Sequence, residues 1–209
     1  MLALISTVVA LAAAPGYSTH IDNPYWPMKP GTRWVYREGR QRVVVRVTRR
    51  TKRVAAGIRG RVVRDTATED GRLVEDTFDW YAQDAKGNVW YLGEDTTEYK
   101  HGKPVSKEGS WEAGVDGARA GIVMLAHPRV GRRYRQENYP GHAMDAAKVL
   151  SLREQVEVPA GHFRRVLLTK EFNPLEPRVL EYKLYARGVG PVLALGISGG
   201  ADREELLSK

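Results

Sequence analysis

The chain has 209 residues, a net charge of +8 and no cysteine. The length gives a single domain with room for a sizeable core, and the missing cysteine excludes disulfides, thiolate metal sites and cysteine nucleophiles. A hydrophobic content of 42% and a charged content of 28% are those of an ordinary globular protein, and a modest positive charge is a weak argument for an anionic partner.

The chain opens on an uncharged apolar run, Met1 to Ala14, rich in small residues. Its length suits the hydrophobic region of a signal peptide and is short for a membrane span. Residues 1–20 are read as a signal peptide, and export to the periplasm or medium is expected. Residues 23–209 are read as one β domain. No second apolar run approaches membrane length, so no transmembrane segment is expected in the mature chain.

Asn23-Pro-Tyr-Trp-Pro-Met-Lys-Pro-Gly31 is a stiff, non-helical entry, with Trp26 expected to plug one end of the core. A basic block follows: residues 33–64 hold twelve Arg and Lys against one acid, Glu38. An acidic block, 65–108, comes next. Period-two alternation runs through both. Val43, Val45 and Val47 share a face, with Arg42, Arg46 and Arg50 on the other. Within 72–83, Val74, Phe78, Trp80 and Ala82 read as the core face. Glu75, Thr77, Asp79 and Tyr81 read as the outer one. This places Arg42, Arg46, Arg59 and Arg61 on an outer face near Glu75 and Asp79, in cross-strand ion pairs.

Asp84-Ala-Lys-Gly-Asn88 is a turn, so 72–93 reads as a hairpin. Thr96–Lys100 and short strands near Val105 and Trp111 are expected to follow. The glycine-rich stretch 114–131, with its embedded Ile122-Val-Met-Leu-Ala126, reads as a long loop or lid across the core. Strands are then expected at 134–139, from about Leu150 to Val158, and at 163–172, 179–186 and 192–198. Ten to twelve short strands with regular turn signals predict an all-β fold. Its expected form is a single strongly curved antiparallel sheet or barrel carrying a long glycine-rich loop.

Asn23 to Tyr36 resembles the opening Pro-x-x-Gly-x-x-Trp-x-Tyr strand of many exported bacterial β proteins. Val158-Pro-Ala-Gly-His-Phe163, with Glu181-Tyr-Lys-Leu-Tyr-Ala-Arg-Gly-Val-Gly190, resembles their closing hairpins. The resemblance is to uncharacterised lipocalin-like or half-barrel proteins. It implies the fold and no activity, because these motifs specify turns and core plugs.

No nucleophile elbow, phosphate loop, dinucleotide fingerprint or zinc-helix motif is present. Asp76 falls on the Val74/Phe78/Trp80 face, where an unpaired carboxylate is costly. It is either paired with an arginine or is a polar anchor in a ligand cavity. With Trp80, Trp90 and Tyr182 it forms the candidate ligand-binding set. His127, His142 and Asp145 are the candidates for a hydrolase or lyase site in loops. The arginine-rich strands carry few aromatics, which argues against nucleic acid. The reading is an exported binding module for an apolar or amphipathic ligand or an envelope partner, with no cofactor and no metal. The alternatives are the loop-histidine enzyme and a structural envelope protein whose basic face touches an anionic envelope component.

Overall fold

A computed structural model describes residues 16–209. The Met1–Ala14 run assigned to a signal peptide lies outside the described residues. Fifteen strands make up the fold: β1 (Tyr17–Ser18), β2 (Arg33–Glu38), β3 (Gln41–Arg53), β4 (Arg59–Glu69), β5 (Arg72–Asp84), β6 (Val89–Lys100), β7 (Lys103–Ser106), β8 (Trp111–Glu112), β9 (Gly121–Met124), β10 (Arg133–Arg135), β11 (Ala146–Val158), β12 (Gly161–Phe172), β13 (Leu180–Ala186), β14 (Gly190–Ser198) and β15 (Arg203–Ser208). There is no helix among the described residues. The chain enters the sheet at Tyr17–Ser18, which pairs with Asp84 and Gln83 at the end of β5.

All strands belong to one antiparallel sheet, ordered β10-β11-β12-β13-β14-β15-β2-β3-β4-β5-β6-β7. It consists of two meanders, β2 to β7 and β10 to β15, joined where β15 pairs with β2. β7, β8 and β9 follow one another along the free edge of β6, as one strand broken by two insertions. The stretch 114–131 is therefore not a lid: its apolar Ile122-Val-Met segment is part of an edge strand, flanked by loops, and Gly114 and Gly121 make close backbone approaches. β15 is a further departure from the sequence reading, which has no strand after residue 198.

The sheet curls strongly. The Trp26 ring lies 5.9 Å from Tyr81 on β5 and 5.6 Å from Tyr185 on β13. Those strands are six places apart in the sheet and would be about 29 Å apart if it were flat. Trp26 thus closes one end of the concave side, as the entry motif predicts. The path is not closed into a barrel, but a bridge ties its two ends together: the Arg119 amide donates to the Asn138 carbonyl at 2.9 Å. Beside it, a Cβ on Gly121 would stand 2.1 Å from the Gln136 carbonyl oxygen, so only glycine permits the contact.

The concave side is the main core. Trp34, Tyr36, Val43, Val47, Tyr185 and Leu206 are buried there. Val43, Val45 and Val47 face inward as their alternation predicts. For β5 the faces are the reverse of the sequence reading. Thr77, Asp79 and Tyr81 are buried, and Asp79 and Tyr81 face the interior cavity. Phe78 and Trp80 lie on the convex side beneath long cationic side chains: Lys52 Nζ is 3.4 Å from the Trp80 ring, and Arg64 and Arg50 lie 5.4 and 6.0 Å from Phe78. Aliphatic stems and cation–π contact thus cover an apolar face that the pattern alone assigns to the core.

The expected cross-strand cancellation of charge is consequently absent. Glu75 and Asp79 point inward, away from Arg42 and Arg46. Arg61 serves the β3 bulge, donating to the carbonyls of Arg49 at 3.0 Å and Arg50 at 3.4 Å. Arg59 donates to Thr51 Oγ1 at 3.3 Å.

Candidate functional site

The concave side encloses a cavity of about 230 Å³. Its apolar wall comes from Trp26 and Met28 of the entry segment, Trp34 and Tyr36 of β2, Tyr81 of β5 and Tyr185 of β13. Its polar wall holds Asp65, Asp79, Glu181, Lys183 and Glu204. The opening motif supplies three of the aromatics. The remaining groups come from β4, β5, β13 and β15, and only the curl of the sheet brings them together.

The carboxylates are unusual in their placement. Asp79 and Glu94 are direct cross-strand neighbours, as are Glu204 and Glu38 and also Glu75 and Glu98. Like charges directly opposite are destabilising, more so away from water. Asp79 is held by the Tyr91 hydroxyl, which donates to Oδ1 at 2.7 Å, while Thr96 donates to Glu94 Oε2 at 3.0 Å. Burial pushes Asp79 up to about 7, against the opposing Tyr91 hydrogen bond. Burial, and then the Asp79 charge, push Glu94 up to about 8. Burial, then the charge of Glu204, raises Asp65 to about 7. Burial raises Glu204 to about 7 against the opposing charge of Lys183. Burial, and then the Asp145 charge, raise Glu137 to about 8, and burial raises Asp145 as well.

One cation stands among these acids. Lys183 Nζ lies 3.1 Å from Glu171 Oε2 and 3.0 Å from Glu181 Oε2. Its pKa lies well above the ordinary lysine value: burial opposes this, and the two glutamates outweigh it. Glu171 is completed by the Tyr185 hydroxyl, donating at 2.9 Å, and by Thr169, donating at 3.0 Å. Asp65 and Glu204 have no such partner: neither makes a hydrogen bond or ion pair with another side chain among the described residues, although both face the cavity.

The four sequence candidates lie elsewhere. Asp76 is on the convex side in a two-pronged pair with Arg64, Oδ1 to Nε at 2.7 Å and Oδ2 to Nη2 at 2.9 Å, which is the arginine-partner alternative. Trp80 is buried under Lys52. Trp90 donates to Asp84 Oδ2 at 2.9 Å and stands edge-on to Tyr17. Tyr182 borders an outer groove with Phe172 and Pro174. The loop trio does not assemble: His142 is exposed and stacks on Tyr139 at 4.2 Å, Asp145 pairs with Glu137, and His127 borders a surface depression beside Tyr25 and Lys86. No hydrogen bond or ion pair joins any two of the three among the described residues. Nor do three His, Cys, Asp or Glu side chains converge to hold a metal there.

No family model matches the chain, and neither does any curated protein. Two solved structures are similar to the chain. A protein with a YmcC-like fold from Bacteroides fragilis, described as exported, is 15% identical, with a TM-score of 0.51 over 88% of this chain and 97% of that one. A protein from Parabacteroides distasonis, described as a lipoprotein, is 13% identical, with a TM-score of 0.49 over 89% of this chain and 98% of that one. At these identities the likeness is one of fold.

Of the cavity's carboxylates outside the two quoted motifs, one left a trace in the sequence. Asp65 alternates with Val63 and Ala67, an acid on an otherwise apolar strand face. Asp79 left none, because β5 was read with its faces exchanged, and Glu94 opposite it on β6 was given no face.

Proposed function

We propose that the chain is an exported binding module whose concave cavity takes a small amphipathic ligand. The observation that carries this is the cavity itself, about 230 Å³, walled on one side by indole and phenol rings and on the other by carboxylates. Binding sites are commonly concave, largely apolar and furnished with a few convergent polar groups. Export rests on the apolar Met1–Ala14 run and on the exported description of the Bacteroides fragilis neighbour. The fold supplies a rigid wall from seven strands and an aromatic closure at Trp26, so a ligand enters a largely preformed site. A titration with compact aromatic amphipaths, followed by tryptophan fluorescence and calorimetry, tests the reading. Saturable binding is expected at one site, weakened at least tenfold by Trp26→Ala. Failure of every probe to bind at millimolar concentration overturns it.

A further inference from the structure

We infer that the cavity selects a cationic ligand, a primary or substituted ammonium on a compact apolar body; the inference rests on the binding reading above. Three of its features point the same way. First, the cavity's carboxylates outnumber its cations: Asp65, Asp79, Glu181 and Glu204 face a single lysine. Second, that lysine is already neutralised, because its Nζ sits between Glu171 and Glu181 at 3.1 and 3.0 Å. Third, Asp65 and Glu204 are half-buried, face the cavity and lack any side-chain partner among the described residues. A buried carboxylate ordinarily has a hydrogen-bonded counter-charge. Here the place for one is the cavity, and a ligand ammonium would fill it.

The apolar wall fits the same chemistry. Tyr36, Trp34 and Trp26 line the same space that Asp65 and Glu204 border. Aromatic faces attract cations that have lost their water, by roughly 0.5–2 kcal/mol per contact. The aromatic and acidic walls together favour an ammonium over a neutral isostere and disfavour a carboxylate. Burial, and then the charge of Glu204, raise Asp65 to about 7, and burial raises Glu204 to about 7 although the Lys183 charge opposes it.

The test uses three near-isosteric probes, 2-phenylethylamine, 2-phenylethanol and phenylacetate, titrated calorimetrically into the full chain at pH 8. The amine is expected to bind at least tenfold tighter than the alcohol, and phenylacetate not to bind. In Asp65→Asn and Glu204→Gln variants with unchanged circular dichroism, the amine should lose at least tenfold in affinity and the alcohol should lose little. If the alcohol binds as tightly as the amine, the charge selectivity is overturned and the amphipath reading stands. If no probe binds, both fall. If the amine binds first but neither variant weakens it, these two carboxylates are not its site and the assignment is overturned.

Discussion

Asp79 and Glu94 show how a single side chain's environment sets a property of the whole protein. Asp79 is buried and Glu94 half-buried, facing each other between β5 and β6, with folded pKa values of about 7 and 8. In the unfolded chain each titrates near 4. Between those limits the folded state holds more protons, so its stability is greatest at the acid end of the window and falls as pH rises through 7 to 8. Asp65, Glu137 and Glu204 act with the same sign. Asp84 and Glu205, whose pKa values are lowered, act oppositely, but only at lower pH. The melting temperature should therefore fall between pH 5.5 and 8.5, by an amount corresponding to at least about 2 kcal/mol, or roughly 4–8 °C for a chain of this size. Asp79→Asn, which resembles the protonated acid, should flatten that slope and raise the melting temperature at pH 8.5. A melting temperature that climbs across the window would show that these groups are not buried as described. The sequence pointed to Asp76 as the costly carboxylate, three residues from the acid that bears the cost. The alternation showed which residues share a face, and it cannot show which face is concave.

At the scale of the element, the strands legible from the sequence were those with long alternation and strong turns. The 72–93 hairpin and the later run of strands stand where the turn residues predict them. The elements that escaped depend on distant partners. Ala201-Asp-Arg-Glu-Glu-Leu-Leu-Ser-Lys209 has no strand signature, yet β15 is the strip that joins the two meanders through Leu206 opposite Tyr36. The glycine-rich stretch before β9 is a loop, as read, but the strand it leads into was missed, and Gly121 at its start serves contact. At Gly121 a methyl group would collide with the Gln136 backbone at 2.1 Å, and backbone cannot yield without moving the bridge between the sheet ends. Gly121→Ala should therefore cost about 2–3 kcal/mol, seen as a fall of roughly 4–12 °C in melting temperature. Gly200→Ala, whose added carbon would meet only the movable Asp202 side chain, is the control and should leave it nearly unchanged. A Gly121→Ala protein as stable as the parent would mean that the two ends of the sheet are not in contact.

For the whole molecule, the basic and acidic blocks of the sequence are sorted by face. In the strands from residue 33 to 100, Arg33, Arg37, Arg42, Arg46 and Arg64 lie on the convex side and Asp65, Glu75, Asp79 and Glu94 on the concave one, while Asp76 is an acid on the convex side. Arg33 lies opposite Arg46, Arg46 opposite Arg64, and Arg37 opposite Arg42. Arg64 is engaged by Asp76, and Arg37 by Glu205, but Arg33, Arg42 and Arg46 make no ion pair among the described residues. Like charges directly opposite cost a few tenths of a kcal/mol each, and opposite charges there contribute about 0.2–1 kcal/mol. Arg46 has an arginine on both sides, so Arg46→Glu turns two repulsions into two attractions. That substitution should raise stability by about 0.5–1 kcal/mol in low salt, less in 0.5 M salt because the charges are exposed and screened. It should also lower the salt at which the protein elutes from heparin, because an exposed arginine row holds a polyanion by counterion release. Chemical denaturation at two salt concentrations measures the first effect and a heparin column the second. A net loss of stability in Arg46→Glu would mean that the row is held by a partner for its positive charge, and that the convex face, not only the concave cavity, carries a site.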